Sequence, residues 1–308
     1  MARACVFAPS PLLTVTLEPA PDGSAGDAEI HMHAGGQGFW IARLIAEMGV
    51  EVSMCSSFGG ETGRVVEALL AEAPVRVHPV GASGSNGAYI HDRRSGERLT
   101  MATMAAAGLT RHEVDELYGV TFVQALEAEV SVLGGPSLQP TLSADVYGRL
   151  CTDITTNDRL VIVDLSGDFL DEAVRGGASV IKVSHEELLR DKVTDDDSVS
   201  ALLEAMRELR KHHGAAVVCT RAEAPALAWF DDRVVEVEGP SIAAIDHRGA
   251  GDSLTAGLAA GLARGEDFLT ALQFGAAAGA LNATRRGLGT GSREEIEQLA
   301  RHVVIRDL

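Results

Sequence analysis

The chain has almost no lysine. Among its 308 residues only Lys182, Lys192 and Lys211 occur, and arginine supplies nearly all the remaining positive charge. A lysine needed to hold a phosphate therefore has three places to come from. Cationic side chains are scarce altogether: 26 of them face 44 acidic ones, for a net charge of −18. That excludes nucleic acid or an anionic membrane surface as the main partner, since either requires a basic face. It leaves room for a small anionic substrate, because one cleft can be locally positive. Cysteine is also sparse. Cys5, Cys55, Cys151 and Cys219 stand far apart with no C-x-x-C, and three lie in or beside apolar strand-like runs, where a free thiol is an ordinary core residue. A reducing, cytoplasmic setting fits. Long hydrophobic runs are missing, and "MARACVFAPS" has no apolar region of signal type, so a soluble chain without a membrane partner is expected. Two nucleotide signatures are absent too. Without G-x-x-x-x-G-K-[ST], or G-x-G-x-x-G after a strand, neither a P-loop enzyme nor a dinucleotide-binding protein is supported. "HEEL" at His185 lacks a second histidine four residues on, which rules out a zinc-protease helix.

What is present is the composition of a folded domain, 46% hydrophobic and 23% charged. Short β-type runs, "ACVFA", "EVSMC", "EVSVLG", "RLVIVDL", "ASVIKV" and "AAVVCT", are separated by segments of helical period. Val199, Leu202, Leu203, Met206 and Leu209 share one helix face, as do Ile41, Leu44, Ile45 and Met48 after Gly35-Gly36. This alternation predicts an α/β fold with a mostly parallel sheet covered on both faces. Two segments break the rhythm, about 11–34 and 84–104. Both alternate apolar and polar residues, which predicts half-exposed antiparallel strands and hence a small β lid built from two stretches of chain. From Gly249 to about His302 the sequence reads as successive helices rich in Ala and Gly, closely packed.

The stretch "DHRGAGDSLTAGL", Asp246 to Leu258, carries the chemistry. If a helix starts near Ala250, the unpaired N–H groups of Gly249, Ala250 and Gly251 form an anion hole at the positive end of its dipole. Asp252 would stand beside the bound anion, an odd place for a carboxylate unless it handles a proton. A general base next to an anion hole for a transferred phosphoryl group explains both features. The bland alternative is an acidic first turn with glycines for packing, which would suffice for G-A-G-D alone but not for the whole stretch.

With that stretch, the sequence resembles the PfkB (ribokinase-like) carbohydrate kinases. Asp246–Asp252 is similar to their C-terminal D-T-x-G-A-G-D. "GGQGFWIARLIAEMGVEVSMCSSFGGETG" resembles their N-terminal signature, and "VLGGPSLQPTLSADVYGRL" and "VIVDLSG…VIKVSHEELL" their G-S-L-P and D-x-S-G…K-P-N-x-x-E-L segments. The order and spacing hold over nearly the whole chain, most closely to the branch with 1-phosphofructokinase and tagatose-6-phosphate kinase. The resemblance implies one ribokinase-like three-layer α/β/α domain over 1–308 that transfers the γ-phosphoryl of ATP, with Mg2+, to a hydroxyl of a sugar or sugar-like small molecule. It implies Asp252 as base and Gly249, Ala250 and Gly251 as the anion hole. Glu187 would hold Mg2+ through water. Thr14, Gly35, Gly36, Gln37, Trp40 and Asn86 would meet the acceptor, and Ser184, Thr220, Ala222, Gly249, Gly251 and Asn282 the nucleotide. The lid would close over the sugar and form a homodimer contact.

Departures from the family pattern fall where ligands should sit. Thr14 replaces an aspartate for sugar hydroxyls, Gln37 a lysine, Trp40 an asparagine, and Gly84 an arginine for the substrate phosphate. Ser184 replaces an asparagine, and Ala222 and Pro225 replace glycines. Loss of Lys and Arg removes the grip on a substrate phosphate, so an altered acceptor is expected, an unphosphorylated sugar, a nucleoside-like molecule or another alcohol, and the departures leave open whether it carries a phosphate. The alternative is a catalytically weak kinase-fold protein that binds a ligand or regulates a partner; the intact Gly-Ala-Gly-Asp favours the kinase.

Overall fold

The computed structural model describes residues 2–20, 27–135, 141–242, 248–284 and 289–308. Asp246 and residues 136–140, part of the G-S-L-P-like segment, lie outside them, as do 21–26 of the expected lid. The chain opens with β1 (Arg3–Phe7), β2 (Leu12–Pro19), β3 (Ala28–Gly35), α1 (Gln37–Glu47), β4 (Glu51–Phe58), α2 (Gly60–Leu70) and β5 (Arg76–Gly81). Then come β6 (Ala88–Asp92), β7 (Leu99–Met104), α3 (Arg111–Glu127), β8 (Val130–Gly134), α4 (Asp145–Thr155), β9 (Leu160–Asp164), α5 (Gly167–Arg175), β10 (Val180–Ser184), α6 (His185–Arg190) and α7 (Val199–Arg210). The last part holds β11 (Ala216–Arg221), β12 (Ala224–Phe230), β13 (Arg233–Glu238), α8 (Ala250–Ala263), α9 (Phe268–Ala283), α10 (Arg293–Ala300) and β14 (Val304–Asp307).

Ten strands form one sheet in the order β14-β13-β12-β11-β10-β9-β8-β1-β4-β5. From β11 to β5 every pairing is parallel, whereas β12, β13 and β14 add antiparallel strands at one edge. The sequence reading named six strands of the parallel part and missed β5 and the antiparallel edge. Those strands carry polar residues at their exposed positions and are joined by short turns, so they lack the continuous apolar signature of a strand buried on both faces. The buried parallel strands sort their side chains by parity. Ala4, Val6 and Ile162 join the core under α1, α8 and α9, while Cys5, Phe7, Val161 and Val163 join the core under α3, α4 and α7. All four cysteines are buried and free, and among the described residues no helix is long and apolar enough to cross a membrane.

The strand order reverses between β1 and β8. In open parallel sheets a crevice forms at such a point, outside the carboxyl ends of the strands. Gly134, Asp164 and Ser184 end β8, β9 and β10 on that side. A second sheet, ordered β3-β2-β6-β7, stands over the same side. Its strands come from two segments, Leu12–Gly35 and Ala88–Met104, joined through the parallel pairing of β2 with β6.

The floor of this side depends on how closely α8 and α9 pack. A Cβ at Gly257 would lie 2.6 Å from the Phe274 carbonyl oxygen, and one at Gly275 would lie 2.8 Å from that of Leu254. Small residues here let two backbones touch, which sets the height of α8 and hence of its N-terminus. Alanine is the better helix former by about 1 kcal/mol, so propensity and packing make opposite predictions. Gly257→Ala is expected to destabilise the protein by about 1–3 kcal/mol, the usual cost of overpacking, measured as a lower urea midpoint; a gain in stability would show that the contact yields.

Candidate active site

A cleft of about 910 Å³ opens between the two sheets. One wall is a face of the small sheet: alternate residues Leu12, Thr14, Thr16 and Glu18 of β2, His31 and His33 of β3, and Tyr89 of β6. The floor is the switch-point region, with Gly36, Gln37, Gly135, Asp164, Glu187 and Asp252. The start of α1, the end of β9 and the first turns of α6 and α8 thus meet in one place.

Helix α8 begins at Ala250, and its N-cap Gly249 adopts a left-handed conformation, φ 72°. That conformation suits glycine and turns the chain into the helix. The helix's first N–H groups have no intrahelical partner and lie at the positive end of its dipole. Asn282 on α9 fixes the approach by donating from Nδ2 to the Arg248 carbonyl at 2.7 Å.

Beneath this terminus lies a buried network that the sequence reading missed. Lys182, in the middle of "VIKVS", is only 6% exposed. Its Nζ donates to Asp164 Oδ1 at 3.0 Å, while Thr255 Oγ1 donates to Asp164 Oδ2 at 2.8 Å. A side chain at Gly251 would come within 2.7 Å of Lys182 Nζ. Gly251 is therefore glycine for a stated reason: the ammonium packs against its backbone. Burial alone would lower the Lys182 pKa, but Asp164, with Asp252 and Glu187, outweighs it and holds the ammonium charged. The available signal was a single lysine in an otherwise apolar strand, in a chain that has only three.

Asp252 lies at the floor, half-buried, and its carboxyl is pushed up to about 6. Desolvation is the main cause and the negative Asp164 adds to it, while Lys182 and a hydrogen bond from Gln37 oppose it. Gln37 also accepts from the Gly135 backbone N–H at 2.8 Å. At the position of the expected lysine, the amide therefore bridges Asp252 to the end of β8 and orients the carboxylate.

The remaining expected residues divide. Thr14, Gly36 and Trp40 line the cleft. Gly35 is just behind it, where a Cβ would stand 2.8 Å from Thr14 Oγ1 and 3.6 Å from the Trp40 ring. Trp40 has a double position, since it lines the cleft while packing on Phe39 at 5.1 Å and on the core. Asn86 does not line the cleft, which corrects the expectation that it meets the acceptor. It is 3% exposed, and its amide is spent on backbone, accepting from Gly59 N–H at 2.9 Å and donating to the Pro11 and Ser57 carbonyls at 3.0 Å. It ties the small sheet to the end of β4.

Of the residues expected to meet the nucleotide, Ser184 caps α6. Its N–H and Oγ both donate to Glu187 Oε2, at 2.8 and 2.9 Å. Thr220 ends the straight part of β11, and its carbonyl lies 3.3 Å from His185 Nδ1. Ala222 keeps the left-handed backbone expected of a glycine, φ 50°. Asn282 Oδ1 is buried without a hydrogen-bond partner. Among the described residues, no group of three or more His, Cys, Asp or Glu is arranged to hold a metal by itself.

A doubly covered parallel sheet with its cleft at the switch point, a carboxylate in the first turn of a helix and a buried lysine beside it fit a phosphotransferase of the α/β class. The description "pfkB family carbohydrate kinase" matches residues 13–295, and the chain belongs to that family. It is 27% identical over 274 residues to the ATP-dependent 6-phosphofructokinase isozyme 2 of Mycobacterium tuberculosis, covering 86% of this chain and 78% of the relative. The isozyme 2 of Escherichia coli is 26% identical over 295 residues, 93% of each chain. Among solved structures, E. coli phosphofructokinase-2 in complex with potassium superimposes with a TM-score of 0.84 at 24% identity, covering 98% of this chain and 99% of that one. Arabidopsis thaliana ribokinase complexed with ribose and ATP gives 0.74 at 17%, over 98% and 99%, a likeness of fold.

Because burial raises Asp252, the free enzyme is expected to lose kcat/KM as pH falls through about 6. Gln37→Ala removes a bond that favours the carboxylate, so the acidic limb should move to higher pH. A limb that stays in place in this variant would remove Gln37 from any hold on the Asp252 carboxylate.

Proposed function

We propose that the chain transfers the terminal phosphoryl group of ATP to a hydroxyl of a sugar or sugar-like alcohol held in the cleft, with Asp252 as general base. One observation carries this reading: Asp252 faces the cleft in the first turn of α8, with Lys182 packed under the same turn. The residues fit the groups the family implies. The absent Cβ of Gly251, the orphaned Asn282 Oδ1 and the α8 N-terminus suit a nucleotide phosphate end. Glu187, on the cleft, would hold Mg2+ through water with Asp164 nearby, since magnesium takes one or two carboxylates and completes its shell with phosphates and water. Bound Mg2+ and ATP supply the phosphoryl group and neutralise its charge.

The chain's own residues do the rest. Asp252, oriented by Gln37, accepts the proton of the attacking hydroxyl. The α8 N–H groups and the Lys182 ammonium meet negative charge on the transferred group, in a site already arranged for it. The small sheet acts as a lid that keeps water from competing.

A weaker, ligand-binding role draws support from Ser184 and Glu187. The helix cap engages Glu187 Oε2 twice, and Pro225 stands where the family pattern has glycine. Asp252→Asn separates the readings. In the kinase reading it lowers turnover with Mg2+, ATP and an accepted sugar by about 10²–10⁴-fold, and equal rates for wild type and variant would reject Asp252 as base. The variant should fold well. The raised pKa means the ionised carboxylate destabilises the native state above about pH 6, and this cost fades towards the unfolded carboxylate range near pH 4. The variant's melting temperature should therefore match or exceed wild type at pH 7.5, with any gain lost near pH 4.

The outer face of the small sheet supports a homodimer through the lid. Paired registers line up Met32, Val15, Ile90 and Ala102 across all four strands, and Ile30, Met32 and Ile90 are 67%, 53% and 38% exposed. An apolar row of this kind marks an interaction surface. Met32→Glu with Ile90→Glu is expected to turn a dimer into a monomer in light scattering; a wild-type monomer would overturn the proposal.

A further inference from the structure

The largest fully buried side chain among the described residues carries a hydroxyl: Tyr147 of α4, 1% exposed. Its ring meets Phe7 of β1 edge-on at 5.3 Å and Phe169 of α5 at 5.2 Å. Those contacts need only an aromatic ring, and phenylalanine would supply them. A phenolic O–H in an apolar core costs free energy unless it is bonded. Its proton goes to the Gly134 carbonyl at 3.0 Å. Burial pushes the phenol pKa up, so the group stays protonated and remains a donor at any working pH.

The Gly134 carbonyl and the Gly135 N–H belong to one peptide unit, which is planar, with the two groups pointing in opposite directions. That unit is gripped at both ends. Tyr147 donates to its oxygen, and Gln37 Oε1 accepts from its N–H at 2.8 Å. The Gln37 amide in turn donates to Asp252. A continuous path of hydrogen bonds therefore runs from the core under α4 to the floor of the cleft, with every donor aimed towards Asp252. Bonds aligned in this way polarise and strengthen one another. The path requires an amide at position 37. An amide accepts on one side and donates on the other, whereas a lysine, which the family pattern has there, can only donate. The space is kept for it as well, since a Cβ at Gly134 would lie 3.3 Å from Gln37 Oε1.

We infer that Tyr147 is a positioning residue for phosphoryl transfer. Through the Gly134–Gly135 peptide and Gln37 it sets the direction of the Asp252 carboxylate, a role that rests on the kinase reading proposed above. Phe169 lines the cleft, so the ring of Tyr147 also backs the cleft wall, and an oriented base has to be told apart from a displaced wall.

Tyr147→Phe keeps the ring and deletes only the donor. With Mg2+, ATP and fructose 6-phosphate, fructose or ribose as acceptor, it should lower kcat about 3–10-fold, the value of one hydrogen bond, and leave KM for the acceptor unchanged. A displaced wall would raise KM instead. In a Gln37→Ala background the same substitution should cost nothing further, because the path is already cut. Replacing Tyr147 by 4-aminophenylalanine keeps an N–H donor in place. It should recover part of kcat, and it serves in both measurements if Tyr147→Phe fails to fold. The second measurement needs no acceptor. The Gly135 amide proton, followed by NMR in the protein alone, should exchange with solvent about 3–10-fold faster in Tyr147→Phe than in wild type. The inference is overturned if KM rises while kcat holds, if Tyr147→Phe and Gln37→Ala act independently on kcat, or if Gly135 exchange is unchanged. A wild type that transfers no phosphoryl group while Gly135 exchange still responds would count against the kinase reading alone.

Discussion

The structure turns on a buried ion pair. Lys182 and Asp164 face each other at 3.0 Å at the carboxyl ends of adjacent parallel strands, almost without water. Isolated, either charge would be prohibitive to bury, and a buried pair tends to contribute little net stability. It persists here with every obvious partner in place: Thr255 satisfies the second carboxylate oxygen, and the ammonium packs against Gly251. Asp252 is added to this pair as a surplus negative charge. Burial and that surplus together raise its pKa, so a carboxyl group poised near neutral pH comes from the same network that fixes the helix above it.

The cleft is electrically divided. Its floor carries Asp164, Glu187 and Asp252 against Lys182, whereas its wall carries arginines against Glu18. The two halves come from different sheets, and Asn86, spent wholly on backbone, helps hold one against the other. Orientation is most of what phosphoryl transfer asks of a protein.

How much of this was legible before folding varies with the range of the interaction. The Gly-Ala-Gly-Asp stretch is local, because a helix N-terminus and its adjacent carboxylate lie within a few residues. The buried strands were legible because two covered faces demand apolar runs. The edge strands β12 to β14 were not, since half-exposed strands with short turns leave only a weak alternation. Asn86 was misread because a family position was taken for a contact, and nothing near it in sequence shows that Gly59, Pro11 and Ser57 use up its amide.

The sequence alone determined the fold class, through its periodicity, and the family, through motifs in register over nearly the whole chain, and it marked Asp252 as the candidate base from residues within one helical turn. Tertiary structure decided what surrounds that base. Lys182 and Gly251 are 69 positions apart in the numbering, and only the crossover topology stacks one under the other. Arg43 and Arg93 reach one wall because β2 pairs in parallel with β6, a register that no local pattern specifies.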